Sequence, residues 1–211
     1  MKKIIKSALC LAFLTLNTIT VSFAEITIDN VFSSLTENKV TTGDFVQEKS
    51  SAKIKRPLKS SGNFIFSEDG IVWKTTKPFP STMAVTKDSI IQTGADGKKS
   101  VIDASANDTF KTVSSTLTSL FSGNRSELEK HFTIKNFKAD SANWEMVLTP
   151  KDATVASALK QVTLSGAVKS SKTSLDGMVS EKSDTEKTRF TFANQVYKQA
   201  LSADEKALFQ K

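Results

Sequence analysis

Hydrophobic and polar residues alternate along much of this chain with the two-residue period of β-strands. In the first half, the alternation predicts a long strand, a β-hairpin and three short strands, at 42–49, 61–75, 82–87, 89–93 and 99–103. Glu68-Asp69-Gly70 marks the turn of that hairpin. In the second half, the pattern predicts two strands and a further hairpin across Asp184-Thr185, at 143–150, 160–168, 175–183 and 187–195.

Helical spacing interrupts this alternation in the middle of the chain. Residues 108–121 are predicted to form a helix with Asp108 as N-cap and Gly123 as C-cap. One stripe of this helix is apolar, and the stripe consists of Phe110, Val113, Leu117, Leu120 and Phe121. The remaining residues are mostly Ser and Thr, which are weak helix formers, so the stripe must hold the helix in place.

Capping signals predict three shorter helices. Asp29 is the expected N-cap of a helix over 30–37. Capping boxes are expected for a short helix ending near His131 and for a C-terminal helix containing Leu208 and Phe209, at Ser126 with Glu129 and at Ser202 with Glu205. The order is helix, about six strands, two helices, about four strands and helix. This order indicates an α+β fold in which helices cover one face of an antiparallel sheet.

The first 24 residues have the features of a secretory signal peptide. Three lysines within residues 1–6 precede an apolar run at 7–21, and Ser22-Phe23-Ala24 resembles a cleavage site. An uncleaved membrane anchor is the alternative, but the run is short and is interrupted by polar residues such as Asn17. We therefore expect export, cleavage after Ala24 and a single mature domain over 25–211.

Composition argues against several functional classes. Cys10 is the only cysteine and lies in the predicted signal peptide, so the mature chain would have no disulfide and no cysteine ligand. The net charge of +7 falls to +4 when the three signal-peptide lysines are removed. The cluster Lys53-Lys55-Arg56 is balanced elsewhere by acidic residues, which disfavours nucleic-acid binding. A mild attraction to anionic lipid or to an acidic partner remains.

Catalytic groups are scarce. His131 is the single histidine and follows a predicted helix end, where imidazole more often contacts the helix C-terminus or solvent. Without a second histidine or a cysteine, neither a Ser-His-Asp site nor a zinc site is easily built. Spacing alone does not decide whether carboxylates such as Asp152 and Asp176 meet. We predict no catalytic residue, no metal site and no cofactor.

Phenylalanine dominates the aromatic residues, with 14 Phe against two Trp and one Tyr. Phenylalanine supplies apolar area without a polar group, which suits either of two arrangements. The inward-facing residues fill an ordinary core, or a curved sheet is only partly filled and leaves an apolar hollow. Strand spacing does not separate these alternatives.

Four segments occur in order behind the signal: GDFVQEK, LKSSGNFIF, GIVWKTTKPFPSTMAVT and WEMVLTPKD. Together they resemble the periplasmic lipoprotein carrier family, LolA, over roughly residues 28–210. The resemblance implies an incomplete antiparallel β-barrel of about ten or eleven strands, with helices on its concave face acting as a lid. The hollow between them would hold acyl chains in transit from the inner to the outer membrane.

The resemblance also implies roles for particular residues. The lipid-binding wall of the cavity would consist of Phe45, Phe64, Phe66, Trp73, Phe79, Trp144 and Met146. The lid helix would contribute Phe110, Val113, Leu117 and Phe121. In the best-known carriers an arginine follows the Gly-x-Phe strand and helps to hold the lid closed, whereas the turn here is Ser67-Glu68-Asp69. The segment RPLKSSGNF is similar to a divergent branch linked to export of glycolipids or polyene lipids.

Three classes of function follow from these observations. The first is a monomeric, non-enzymatic periplasmic carrier of an acylated lipoprotein, or alternatively of a glycolipid or polyene lipid. Such a carrier would take its cargo from an inner-membrane transporter and give it to an outer-membrane acceptor. The second is a secreted hydrolase that depends on an acid or on His131. The third is a secreted, non-catalytic protein-binding module with a filled interior.

Overall fold

One open antiparallel sheet dominates the computed structural model, which describes residues 25–103, 108–169 and 172–210. Its strands are β1 Val40–Ser50, β2 Leu58–Ser67, β3 Gly70–Lys77, β4 Ser81–Val85, β5 Ser89–Thr93, β6 Lys99–Asp103, β7 Phe132–Ala139, β8 Asn143–Pro150, β9 Gln161–Lys169, β10 Lys172–Thr173, β11 Gly177–Glu181 and β12 Lys187–Lys198. Five helices accompany them: α1 Ile28–Thr36, α2 Asp108–Phe121, α3 Arg125–His131, α4 Ala153–Ala158 and α5 Ala203–Ala207. The predicted α+β class is confirmed, with twelve strands rather than ten or eleven.

The strand order places the first and last described strands, β1 and β12, at the centre of the sheet. It runs β6-β5-β4-β3-β2-β1-β12-β11-β9-β8-β7, and β10 pairs with β9 outside this path. Since β6 and β7 lie at opposite ends of the order, the sheet is not closed. The central pairing joins β1 to β12, where Phe45 lies opposite Phe192. Residues far apart in sequence therefore share the middle of the inner face.

The two faces of the sheet bury separate apolar clusters. The inner face carries the larger cluster, in which sheet residues pack with Val31 and Phe32 of α1, Leu120 of α2 and Leu128 of α3. The outer face of β1 to β5 packs instead against the C-terminal segment, through Leu201, Leu208 and Phe209. The prediction of helices on one face is thus correct for α1 to α3 and wrong for the C-terminal segment. Among the described residues, no helix has the length and apolar character needed to cross a membrane.

Two of the predicted helix caps are wrong. The N-cap of α1 is Thr27, whose hydroxyl accepts from the Asn30 N–H, while Asp29 lies in the first turn. The N-cap of α3 is Asn124, so the predicted box of Ser126 with Glu129 does not form. Hydroxyl, amide and carboxylate side chains all cap helices, so sequence leaves their order open when several are adjacent. The box of Ser202 with Glu205 in α5 is confirmed, although Leu208 and Phe209 follow the helix.

Three elements were not predicted: α4, β7 and β10. The large apolar residues of β7 are Phe132, Ile134 and Phe137, and the three-residue step to Phe137 breaks the two-residue period. The register with β8 shifts between Ile134 and Asn136, and this β-bulge returns Phe137 to the side of the sheet that carries Phe132 and Ile134. Helix α4 has six residues and β10 has two, too few to show a period.

Glu205 fixes α5 against the end of β12. Its carboxylate accepts from Lys198 Nζ at 2.7 Å and from the Ser202 backbone N–H at 2.8 Å. These bonds, led by the one from Lys198, lower the pKa of Glu205 below its usual value. Because the folded pKa lies below the unfolded one, the carboxylate stabilises the fold above the ordinary glutamate pKa. That stabilisation is lost as pH falls through the lowered folded pKa.

We expect Glu205→Gln to lower the free energy of unfolding by about 0.5 kcal/mol at neutral pH, because the amide can keep the capping box but loses the ion pair with Lys198. The difference from the wild type should disappear in strong acid, where both side chains are neutral. Urea unfolding at a series of pH values measures this. Asp204→Asn is the control, since no ion pair of Asp204 occurs among the described residues. A pH-independent difference for Glu205→Gln would show that charge is not the cause.

Candidate functional site

Seven aromatic rings meet on the inner face of the sheet. Six come from the central strands and one comes from α2; they are Phe45, Phe64, Phe66, Trp73, Phe190, Phe192 and Phe121. Alternation along β2 and β12 brings two rings of each strand to this face. The centroids of Phe64 and Phe66 are 4.3 Å apart, and those of Trp73 and Phe190 are 4.9 Å apart. We call these seven residues the aromatic cluster.

Phe121 is the contact between α2 and the aromatic cluster. Its ring stacks on Phe66 with centroids 4.2 Å apart and meets Trp73 edge-on at 6.0 Å. Stacked and edge-to-face pairs add modestly to the burial of apolar area. The side chains of Phe110, Val113 and Leu117 lie outside the described residues. Of the four predicted lid residues, Phe121 is therefore the one whose contacts are defined.

A cavity of about 710 Å³ lies beside this contact. Phe66, Leu120 and Phe121 form its apolar side. The polar part of its lining includes hydroxyls of α2 and of Ser122 just after it, each of which donates to the carbonyl three residues earlier; those of α2 are Ser115, Thr118 and Ser119. These bonds satisfy the hydroxyl donors within the helix and give the cavity a wall of hydroxyl oxygens.

Further polar groups from β12 border the same cavity. The Tyr197 hydroxyl donates to Gln195 Oε1 at 3.2 Å, and Gln195 Nε2 donates to the Leu175 carbonyl at 2.9 Å. Burial, followed by the negative charge of Asp176, raises the pKa of Tyr197. The phenol therefore stays neutral and able to donate. Half apolar and half hydrogen-bonding, the cavity matches an amphiphilic ligand.

The predicted wall residues divide into three groups. Phe45, Phe64 and Phe66 are buried in the aromatic cluster, and Trp73 is half-buried there. Trp144 and Met146 belong to the same apolar core but lie on β8, and Trp144 contacts no ring among those described. Phe79 is 81% exposed and follows the end of β3. The structure therefore brings four of the seven predicted wall residues together in the aromatic cluster and places Phe79 outside it.

Phe190 and Phe192 were missed as site residues. Both lie in the strand that alternation predicted, in the segment KTRFTFANQ. Their importance comes from the pairing of β12 with β1, which puts Phe192 opposite Phe45 and Phe190 opposite Gln47. Only the alternation of Phe190 and Phe192 was visible in the sequence, and it does not identify the neighbouring strand.

The residues considered for catalysis each have contacts of their own. His131 lies at the end of α3, with its Nε2 3.8 Å from Glu127 Oε1. Asp152 caps α4, whereas Asp176 accepts from Gln195 Nε2 at 3.3 Å. Within residues 25–103, 108–169 and 172–210, no group of three His, Cys, Asp or Glu residues is arranged to hold a metal ion.

Comparison of the sequence with family profiles identifies its relatives. The profile of the family described as "outer membrane lipoprotein carrier protein LolA-like" matches residues 20–206, most of the chain. The chain belongs to the LolA-like family. No curated protein matches the LolA-like chain in sequence.

Solved structures to which this chain is similar include proteins of three bacteria. A LolA superfamily protein of Nitrosomonas europaea is 7% identical, with a TM-score of 0.48 over 87% of this chain and 95% of that one. A putative outer membrane lipoprotein-sorting protein domain of Vibrio parahaemolyticus is 9% identical, with a TM-score of 0.49 over 85% and 95%. A DUF1329 family protein of Desulfovibrio piger is 10% identical, with a TM-score of 0.48 over 82% and 92%.

The turn between β2 and β3 of this LolA-like chain has no arginine that could hold the lid closed. Glu68 of that turn borders the cavity, together with Lys87 and Asp88 from the turn between β4 and β5. No arginine lines the described part of the cavity. Among the described residues, α2 contacts the inner face through the apolar side chains of Leu120 and Phe121.

Proposed function

We propose that this LolA-like protein is a periplasmic carrier that shields the acyl chains of a lipoprotein between the inner and outer membranes. In the proposed cycle, α2 rests on the aromatic cluster whenever no cargo is bound. Acyl chains would displace α2 and take its place against the rings. The observation that carries the proposal is the stacking of Phe121 on Phe66 beside Trp73.

The energetics favour a lid that competes with cargo. Burying acyl chain yields about 0.8 kcal/mol per CH₂, so a fully buried sixteen-carbon chain would yield on the order of 12 kcal/mol. Such an affinity would be nanomolar or tighter and would prevent release. Displacing α2 from the rings costs apolar contacts, which offsets part of this gain. The low helix propensity of its Ser and Thr residues keeps that cost moderate.

The polar wall of the cavity suits the head of such a cargo. The donors of Ser119, Gln195 and Tyr197 are bonded within the protein, and the hydroxyl oxygens of Ser119 and Tyr197 can still accept a hydrogen bond, which an acyl chain cannot donate. An acylated peptide or a sugar head group has N–H or O–H donors for these oxygens. The cavity therefore favours an amphiphile over a plain hydrocarbon, with its head in the cavity and its chains on the aromatic cluster.

The proposal includes the remaining steps of a carrier. An inner-membrane transporter would supply the cargo, an outer-membrane acceptor would receive it, and the carrier would act as a monomer after loss of residues 1–24. No step requires a catalytic residue, a metal, a cofactor or nucleic acid. The family to which the chain belongs supports this cycle through its description as lipoprotein carriers.

Native mass spectrometry of protein purified from the periplasm without detergent tests the proposal. We expect a stoichiometric acylated peptide, and a glycolipid in its place would support the alternative cargo. A clean cargo-free mass after incubation with both would contradict a carrier and favour the protein-binding module.

Trp73→Ala is expected to weaken cargo binding about tenfold, because losing part of a half-buried aromatic surface costs about 1.4 kcal/mol of binding free energy. Native mass spectrometry over a series of acylated-peptide concentrations measures the dissociation constant. Phe209→Ala is the control, since Phe209 is half-buried on the outer face. Equal losses of cargo binding for both variants would show that reduced protein stability, rather than the aromatic cluster, causes the effect.

A further inference from the structure

Two large apolar side chains are exposed where the strands of the first half end. Phe79 is 81% exposed and Leu58 is 61% exposed. All residues of 55–59 and of 76–80 are exposed. Exposed apolar residues of this size, grouped together, usually mark an interaction surface. We call the segments 49–59 and 74–80 the basic tip.

Strand pairing brings the two segments together. Lys49 of β1 lies opposite Leu58 of β2, and Ser61 of β2 lies opposite Lys77 of β3. Leu58 precedes Ser61 by three residues and Phe79 follows Lys77 by two, so both side chains belong to the same end of the sheet. Prolines flank Phe79 on both sides and restrict the backbone that presents its ring.

The basic tip has a strongly one-sided charge. Its seven charged residues are all basic: Lys49, Lys53, Lys55, Arg56, Lys59, Lys74 and Lys77. One of these cations is paired, since Lys59 Nζ lies 2.5 Å from Glu48 Oε1. Lys53, Lys55, Arg56 and Lys77 form no ion pair with any residue that the structure describes. These unpaired cations around two exposed apolar side chains complement an anionic, partly apolar surface.

The inner face of the sheet continues into the basic tip. With the period of two along β2, Leu58 lies on the same face as Phe64 and Phe66. Trp73 and Phe190 of the aromatic cluster are only half-buried. The cavity lies at the other end of β1 and β2, beside Thr41 and Phe66. A surface bound at the basic tip would therefore meet the end of the inner face that is remote from the cavity.

We propose that the basic tip docks on an anionic lipid bilayer, with Phe79 and Leu58 entering the interface and the surrounding cations contacting lipid phosphates. Aromatic and aliphatic side chains bind the boundary between head groups and acyl chains, and clustered lysines and arginines add attraction to anionic lipid. An anionic bilayer supplies both the apolar region for the two exposed side chains and the negative charge for the cations. Docking would bring the open end of the inner face to the membrane, which goes beyond carriage of cargo.

Sedimentation with vesicles tests this proposal, using protein processed in and purified from the periplasm. We expect binding to phosphatidylcholine vesicles that contain phosphatidylglycerol, little binding to pure phosphatidylcholine, and weakening by salt. Phe79→Ser should weaken binding about tenfold, and so should the double variant Lys53→Glu with Lys55→Glu. Val196→Ser is the matched control, since Val196 is 53% exposed and lies beside Thr42 at the other end of β1.

Three results would overturn the proposal: no binding to either vesicle, equal binding to both, or equal losses for Phe79→Ser and Val196→Ser. Binding that depends on the lysines but not on Phe79 would also overturn it and would favour an acidic protein as partner. Trp73→Ala should leave vesicle binding unchanged while reducing cargo loading. Failure of membrane docking and failure of the carrier function are therefore distinguishable.

Discussion

Phe45→Ala should lower the free energy of unfolding by about 3 to 5 kcal/mol, the usual cost of removing a buried phenylalanine. Phe45 is 2% exposed and lies in the central strand β1. Its ring meets Trp73 at 5.2 Å and Phe190 at 6.3 Å, so truncation leaves a cavity among rings from two neighbouring parts of the sheet. Urea unfolding followed by far-UV circular dichroism measures the loss.

Val46→Ala is the matched control for this measurement. Val46 is the next residue in β1, points to the outer face and is 45% exposed. Its truncation should cost about 1 kcal/mol or less, because little apolar area returns to water. Similar losses for the two variants would contradict the assignment of the two faces of β1 and the central position of Phe45 in the core.

The second large effect is expected at the lid. Phe121→Ala should weaken the attachment of α2 by about 2 kcal/mol, because a half-buried ring loses less than a fully buried one. That loss corresponds to roughly thirtyfold faster hydrogen exchange of α2 amides through local opening. Exchange in β8 and β9 should be unchanged, since no ring of these strands contacts Phe121 among the described residues. Mass spectrometry of peptic fragments measures both regions.

Ser122→Ala provides the control for Phe121→Ala. Its hydroxyl donates to the Ser119 carbonyl at 3.0 Å and accepts from the Asn124 backbone N–H at 3.2 Å, so both of its described hydrogen bonds are to the backbone rather than to the aromatic cluster. Removing it should change exchange by only a few fold. If both variants exchange α2 at the same rate, the stacking of Phe121 on Phe66 does not hold the helix, and the proposed lid mechanism loses its physical basis.

Local signals explain why the sequence predicted the strands well. The hairpins at 58–77 and 177–198 join neighbouring strands through short turns, so alternation and turn residues define each pair. Pairing of β1 with β12 depends on residues about 150 positions apart, which no short-range pattern encodes. The sequence therefore predicted Phe45, Phe64, Phe66 and Trp73 but not their neighbours on β12.

Phe79 shows the limit of reading burial from residue type. Its neighbours Pro78 and Pro80 end the strand, and the ring lies beyond the last ladder pair of β3. An aromatic residue outside the alternating region has no face of the sheet to join. Similarly, the cavity draws its lining from α1, α2, β12 and several turns, so its polar character appears only once the sheet has assembled.

The central position of β1 and β12 has a consequence for how the protein is made. A chain exported through a secretion channel, as the predicted signal peptide implies, emerges with its N-terminal end first. The strands β2 to β6 and β7 to β11 can form locally, but the seam between the two halves needs residues 187–198, which follow every other strand in the chain. Such distant pairing is slow. In an exported chain, the middle of the inner face would therefore stay incomplete until β12 had crossed the membrane.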